Sequence, residues 1–522
     1  MAVQRVVIGV DSSTQATKAL AVDADTGQVL GEGRAPHTVG GGAGRESDPD
    51  QWWSALCTAI EATGYAARTE AISIGGQQHG LVTLDAAGAP VRPAMLWNDV
   101  RAAPQAAALV ERFGTRWWAE RIGSVPNASF TAAKWAWLRE HEPRNADCVA
   151  GVRLPHDYLT ERLTGTAVTD RGDASGTAWW TPAGYDADVL DAIGLDPAVL
   201  PALAPADRAA GATRAGGPLR QGTPVGAGTG DNMAAALGLG LEPGTPALSL
   251  GTSGTVYART LARPHDPTGV VAGFADAGAD WLPLACTLNC TQAIDRIAAL
   301  LGLDRGAVEP GGDLVVLPYL DGERTPQLPL ASGLIHGLRH DTTPGQLLQA
   351  AYDGAAYSLL AALDRVLASG DTPGLGGADN SDRAATDLAV SLAQTTEAPR
   401  TGVDTRPLPN PTAPVHDPNT PLLLIGGGAR GTAWQQTVLR LSGRPVRIPP
   451  AGELVALGAA AQAAALLTGE DPYAVARRWR TAEGPLLPPI PRDTATNDRI
   501  AATLRAAEPL LTTPLSGPPS GR

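Results

Sequence analysis

The chain opens with a strand, a turn of small hydroxylated residues and a second strand, and the same arrangement returns near its middle. Val6–Val10 is an apolar β run, Asp11–Thr17 a polar turn, and Lys18–Val22 a second strand. An Asp-Ala-Asp-Thr-Gly turn at 23–27 then leads to a third strand near Val29. In the second half, Pro246–Leu250, Gly251–Thr255 and Val256–Thr260 repeat the strand, turn and strand. A theme used twice points to an internal duplication, and so to two similar α/β lobes with a cleft between them. Helical spacing from Gln51 to Ala66, a strand at Ala71–Ile74 and mixed elements to about residue 240 fill the first half. With 522 residues, each lobe is long enough to bury a core of its own.

Composition removes several classes of function. The formal net charge of −13 argues against a nucleic-acid partner, which needs a basic face. Lys18 and Lys134 are the only lysines, and no Gly-Lys pair exists. A Walker-type phosphate loop is therefore excluded. The four cysteines, Cys57, Cys148, Cys286 and Cys290, are too few and too scattered for a disulfide scaffold. Cys286 and Cys290 lack a second Cys or His pair to complete a zinc site, and they are read as buried structural thiols. Twelve tryptophans, nine of them before residue 181, are read chiefly as core. The apolar run at the N-terminus is too short for a signal sequence, and no apolar stretch is long enough to span a bilayer. The Ala-rich run 454–467 reads as a buried helix. A soluble cytoplasmic protein with no membrane partner is expected.

Residues 370–421 hold no aromatic residue, are rich in Gly, Asp and Thr, and end in a Pro-rich stretch at 407–421. They read as a mobile surface insertion with a short helix around Arg383–Gln394. The tail from about residue 510 reads as disordered.

Four segments carry chemistry-bearing residues. In Val7-Ile-Gly-Val-Asp-Ser-Ser-Thr-Gln-Ala-Thr-Lys18, an acid ends a buried strand and hydroxylated residues follow. Turn N–H groups and Thr14 suit phosphate oxygens, and Asp11 suits Mg2+, directly or through water; the alternative is a plain hairpin with a capping Asp. In Val225-Gly-Ala-Gly-Thr-Gly-Asp-Asn232, Asp231 stands where a Gly-rich turn meets an Ala-rich helix, as an N-cap or as a reactive group aimed into a cleft. Leu422-Leu-Leu-Ile-Gly-Gly-Gly-Ala-Arg-Gly431 matches G-x-G-x-x-G between a strand and a helix. The next strand, Pro445–Ile448, ends in two prolines and not in an acid for a ribose hydroxyl, so a nucleotide contact is kept and a dinucleotide fold is rejected. Gly75-Gly-Gln-Gln-His-Gly80 and Leu96-Trp-Asn-Asp-Val-Arg101 place polar side chains among apolar strands, where sugar hydroxyls could partner them.

Together these segments resemble the FGGY carbohydrate kinases, most closely their xylulose-phosphorylating branch. The resemblance runs from about residue 5 to 369 and from 422 to about 480. It rests on Val-Asp-x-x-Thr-Gln at 10–15, Asp48-Pro-Asp-Gln-Trp-Trp53, Gly76-Gln-Gln-His-Gly80, Leu96-Trp-Asn-Asp99 and Leu154-Pro-His-Asp-Tyr158. Gly230-Asp-Asn232, Leu250-Gly-Thr-Ser-Gly254, Leu317-Pro-Tyr-Leu-Asp-Gly-Glu-Arg-Thr-Pro326 and Gly426-Gly-Gly-Ala429 follow in the same order.

The resemblance implies a two-lobed actin/hexokinase-like (ribonuclease H-like) ATPase fold, each lobe a mixed α/β sheet flanked by helices. The lobes are expected at 1–243 and 244–485, the second interrupted by the 370–421 insertion, with a C-terminal segment at 486–522. The resemblance also implies ATP and Mg2+ as cofactors and a sugar as substrate, D-xylulose before others; a homodimer is one compatible assembly. It implies that Asp231 is the general base and Asp11 the second acid, acting through the metal. Gln78, His79, Trp97, Asn98 and Asn232 fall at the sugar. Thr14, Gln15 and Lys18 fall on the first phosphate hairpin, Gly251 and Thr252 on the second, and Gly427, Gly428 and Ala429 at the adenosine. Two departures stand out: Ser13 replaces the usual Gly of the first hairpin, and Gln78 stands where some relatives have Met. A kinase for ribulose, gluconate or glycerol is the nearest alternative. A non-catalytic sugar sensor or an actin-like ATPase is the alternative from another class.

Overall fold

The computed structural model describes residues 4–41, 44–310, 312–370, 417–450 and 452–513. Most of the expected insertion, including its helix at 383–394, lies outside the described residues, as does the tail beyond 513.

Two seven-stranded sheets form, one from each half of the chain. In the first, Val6–Ser12 pairs antiparallel with Ala16–Asp23, which pairs antiparallel with Val29–Pro36. On its other side Val6–Ser12 runs parallel to Thr69–Gly76, which runs parallel to Pro224–Gly226. The second sheet repeats the plan. Pro246–Leu250 pairs antiparallel with Gly254–Ala258, which pairs antiparallel with Trp281–Thr287. Its other neighbour, Leu422–Ile425, is parallel, and Val446–Arg447 is parallel beyond that. The duplication seen in the sequence is thus a duplication of sheet topology.

The two turns are tighter than expected. Asp11 and Ser12 stay in register with Lys18 and Thr17, so the first turn is only Ser13–Gln15. In the second, Leu250 pairs with Gly254, leaving residues 251–253 as the turn.

The first strand, Val-Val-Ile-Gly-Val-Asp-Ser, is buried throughout, because helices cover both faces of its sheet. On one face lies Pro49–Ala62. Asp48 caps it by accepting a hydrogen bond from the Asp50 N–H, and Pro49 suits its first turn. Trp52, Leu56, Ala59 and Ile60 recur at helical spacing and pack on Val6, Ile8 and Val10. This helix begins and ends earlier than its sequence pattern suggests, because the Asp-Pro cap starts it and the left-handed Gly64 follows its end. On the other face lies Leu454–Thr468, whose alanines pack on Val7, Leu20, Val22 and Ala71. It is the buried helix expected there. It comes from the second half of the chain, yet its packing partner is the first sheet. A Cβ at Gly9 would sit 1.9 Å from the Ala456 carbonyl oxygen, so the helix lies against bare backbone.

The halves meet along a continuous core in which Trp118, Phe130 and Ala236 pack with Phe274, Leu282, Leu284 and Tyr473. Arg171 from the first half donates to the carbonyls of Gly278 (3.0 Å) and Asp280 (2.8 Å) in the second. Of the tryptophans, Trp97 is the most exposed, at 38 %, and it stands at the cleft described below. Residues 510–512, expected to be disordered, form the last turn of the helix Thr494–Thr512, where Leu511 is buried. No helix among the described residues is long and apolar enough to cross a membrane.

Candidate active site

In each sheet, the hairpin turn and the end of the neighbouring parallel strand lie side by side. Asp11 and Ser12 are in register with Gly75 and Gly76, so the first turn adjoins Gln77, Gln78 and His79. Ser249 is in register with Ile425, so the second turn adjoins Gly426, Gly427 and Gly428. A cleft of about 290 Å3 opens beside these loops, lined from the first half by Thr14, Gln78, His79, Trp97, Asp231 and Asn232. That volume holds about ten waters, ample for a small sugar.

Asp231 is the first residue of the helix Asp231–Gly238. Its N-cap is Gly230, which makes no side-chain capping bond, so the carboxylate is free to face the cleft. Oδ1 accepts hydrogen bonds from the Asn232 backbone N–H (2.8 Å) and from Asn232 Nδ2 (3.0 Å). Asn232 Nδ2 also donates to Gln78 Oε1 (2.5 Å), and Gln78 Nε2 lies 3.1 Å from Met233 Sδ. The helix N-terminus favours an ionised carboxylate, but burial outweighs it. The carboxyl is partly accessible from the cleft and enclosed by protein elsewhere. Burial first, then the charges of Asp11 and Asp173, push its pKa up to about 7. A carboxylate poised near neutrality, facing open space beside amide donors, can take a proton from a bound hydroxyl.

His79 is held from every side. Its backbone is in the left-handed region, with φ of 59°. Asp173 Oδ1 lies 3.0 Å from Nδ1 and accepts from the His79 backbone N–H at 3.2 Å. Phe130 stacks on the ring with centroids 5.7 Å apart, and Phe274 meets it at 5.0 Å. Asp173 is fully buried and lies 3.6 Å from His156, which also sits 3.3 Å from Asp170 and 3.4 Å from Asp157. Burial opposes charge on His156, but the three acids together outweigh it and push its pKa up to about 9. The buried His156 thus lies behind Asp173, which in turn holds the His79 ring through Nδ1. His79 Nε2 lies 3.5 Å from Gln78 Nε2, and both residues line the cleft.

Lys134 Nζ, also buried, donates to the carbonyls of Ala128 (3.1 Å) and Ser129, fixing the loop whose Asn127, Ser129 and Phe130 line the cleft. Trp97 Nε1 donates to Thr14 Oγ1 at 3.2 Å, joining the sugar-side motif to the first hairpin. Asn98 does not line the cleft; its side-chain oxygen is buried without a hydrogen-bond partner in the structure.

At the first hairpin, Ser13 Oγ donates to Asp11 Oδ1 (2.6 Å), and the Ser13 N–H closes the turn on Ala16. Ser13 is not in the left-handed region, so the turn forms without the usual Gly. Asp11 is buried, which raises its pKa despite the Ser13 hydroxyl and the Lys18 ammonium. Lys18 Nζ lies 3.7 Å from Asp11 and 2.6 Å from Glu453, so a second acid shares it. Asp11 thus presents hard oxygen donors with an incompletely balanced charge, which fits Mg2+. Among the described residues no group of three His, Cys, Asp or Glu gathers to hold a metal. A cation here would have Asp11 as its carboxylate from this chain, with its other positions open to ligand oxygens and water. Gln15 is exposed on the turn and does not line the cleft.

At the second hairpin, the Gly251 carbonyl accepts from Thr291 Oγ1 (2.6 Å), and Thr252 stands exposed. Nothing meets a Cβ placed on Gly427, so its backbone faces open space, whereas one on Gly428 would collide with Leu250 and Thr291. Ala429 is buried in the second core.

Several cleft residues escaped the sequence reading. Phe130 and Phe274 are two of only three phenylalanines in the chain, a scarcity that offered a signal. Arg324 sat unassigned inside a quoted motif. Cys290 is buried as expected, but Cys286 lines the cleft and is only partly buried.

Comparison with known families settles the ancestry of this geometry. The N-terminal domain model of the FGGY family of carbohydrate kinases matches residues 6–238, and the C-terminal domain model matches 247–467. The chain belongs to the FGGY family of carbohydrate kinases. This FGGY kinase is 62% identical over 511 residues to the xylulose kinase of Streptomyces rubiginosus, covering 97% of each chain. It is 32% identical to the xylulose kinase of Escherichia coli strain K12, covering 87% of this chain and 88% of that one. The crystal structure of xylulose kinase from Bifidobacterium adolescentis superposes with a TM-score of 0.78 at 32% identity, covering 96% of this chain and all of the other. Gluconate kinase from Lactobacillus acidophilus shares the fold, with a TM-score of 0.81 at 18% identity, over 98% of this chain and 99% of that one.

Proposed function

We propose that this FGGY kinase transfers the γ-phosphoryl group of ATP to the 5-hydroxyl of D-xylulose, giving D-xylulose 5-phosphate and ADP. The observation that carries the reading is Asp231, a carboxylate with a pKa near 7 facing the cleft beside Gln78, His79 and Asn232. The choice of D-xylulose is supported by the likeness to xylulose kinases over nearly the whole chain.

In this reading the 1–243 lobe holds the sugar and the 244–485 lobe holds the nucleotide. Gln78, His79 and Asn232 orient the sugar hydroxyls, and Trp97 closes one side. The turn at 13–15 and the turn at 251–253 cradle the phosphates, and the open backbone at Gly427 leaves room for the adenosine. Asp11 holds Mg2+, which when bound neutralises phosphate charge. The sugar oxygen forms its bond to phosphorus as the bond from phosphorus to the bridging oxygen of ADP breaks, and Asp231 takes the hydroxyl proton. Positioning and charge neutralisation supply most of the acceleration, and proton acceptance adds about 10²–10⁴-fold. An ATP-consuming step on a free sugar suits the cytoplasm.

A coupled ADP-release assay with D-xylulose, ribulose, gluconate and glycerol tests this. D-xylulose is expected to give the highest kcat/KM. Preference for another sugar would reassign the substrate, and sugar-independent ATP hydrolysis at the same rate would favour an ATPase of another kind.

A further inference from the structure

Among the described residues lining the cleft, Arg324 is the one permanent cation. Its guanidinium has no hydrogen-bonded or ion-paired partner among the described residues. Arg324 is not the counter-ion of Asp231, whose charge is set by burial, Asp11, Asp173 and Asn232. A free sugar is neutral and gives a guanidinium nothing to balance. An unpaired guanidinium in a cleft is a site for an anion that arrives with the reaction.

The backbone under Arg324 is fixed. The Glu323 carboxylate accepts from the N–H groups of Leu288 (2.6 Å), Asn289 (3.2 Å) and Arg324 itself (2.7 Å), and from Asn289 Nδ2 (3.0 Å). Thr325 Oγ1 donates to the Cys286 carbonyl at 2.7 Å. Residues 323–325 are thereby stitched to the end of the strand Trp281–Thr287. Cys286 and Thr287 in that strand pair with Thr255 and Gly254, which directly follow the nucleotide-side turn at 251–253. Cys286 feels the charges of both Arg324 and Asp231. Arg324 therefore stands on the second lobe's wall of the cleft, next to the phosphate turn, while Asp231 stands on the first lobe's side.

We infer that Arg324 is a catalytic residue that binds the oxygens of the phosphoryl group in transit and then the phosphate of the sugar phosphate product. The inference rests on the proposed kinase reaction. As the acceptor oxygen bonds to phosphorus and the bridging oxygen of ADP leaves, the three remaining oxygens keep their negative charge. Two N–H groups of the guanidinium meet that charge from the cleft wall, as positioned donors aimed at developing charge do.

The test compares Arg324→Ala and Arg324→Lys with the wild type. No partner group is left unsatisfied when this side chain is removed, so both variants are expected to fold with unchanged Tm. In R324A, kcat is expected to fall about 10²-fold, with the Kd for D-xylulose within about twofold. Affinity for D-xylulose 5-phosphate, measured by calorimetry, is expected to weaken about tenfold. R324K should recover part of the turnover by keeping the charge without the fork. Wild-type kcat in R324A, or a loss of D-xylulose affinity matching the loss of turnover, would overturn the assignment. A wild type that releases no ADP with any sugar would instead defeat the kinase reading itself.

Discussion

At the scale of single residues, the site turns on carboxylates kept out of water. The folded-state pKa of Asp231 is near 7, above its ordinary value of 3.8, so the fold holds this proton more tightly than the unfolded chain does. Ionising it costs stability, and the cost grows as pH rises from about 4 to about 7 and then stays. Asp231→Asn should therefore be more stable than the wild type at pH 8, by about 1–2 kcal/mol once solvent in the cleft is allowed for. The gain should shrink as the pH falls towards 4, and thermal melts across that range check it. The same titration shapes the rate: kcat/KM of the wild type should rise with pH up to about 7 and then level off. Strand ends, a Gly-rich turn and the resemblance singled out Asp11, Asp231, Gln78 and His79 in the sequence, and the structure brings Asp231, Gln78 and His79 to one cleft. Asp173, His156 and the flanking phenylalanines were not legible there, because they meet His79 only across long stretches of chain.

At the scale of elements, the helix Leu454–Thr468 does most to position the chemistry. It packs against both the first strand, which carries Asp11, and the helix that begins at Asp231. That contact depends on small residues. A Cβ on Gly458 would lie 1.9 Å from the Ala234 carbonyl oxygen, and one on Gly238 would lie 2.1 Å from that of Leu454. Gly458→Ala is expected to push the helices apart at a cost of about 1–3 kcal/mol, seen as a lower Tm, with a larger loss in kcat than in sugar affinity. An unchanged Tm would show that the close approach is not needed. The sequence marked this run as a buried helix from its alanines alone. It could not show which sheet the helix would cover, because a run apolar on all sides carries no face.

At the scale of the whole molecule, one topology is used twice with two tasks. The first hairpin and its parallel neighbour carry Asp11 and the cleft-lining Gln78 and His79. The second pair carries the turn at 251–253 and the open backbone at Gly427. The recurring hairpin hinted at two lobes, and the resemblance supplied the fold; the shared wall of the cleft, with Phe274, Cys286 and Arg324 supplied by the second half, arose only from packing. In the proposed reaction, the cleft built by both lobes brings the acceptor hydroxyl of the bound sugar to Asp231. Single-turnover phosphoryl transfer in Asp231→Ala, measured beside its D-xylulose affinity, tests that arrangement most directly. Transfer is expected to fall by about 10²–10⁴-fold or more while the sugar still binds within a few-fold of wild type. Rapid transfer by the variant would show that the proton leaves by another route, and the account given for this cleft would be wrong.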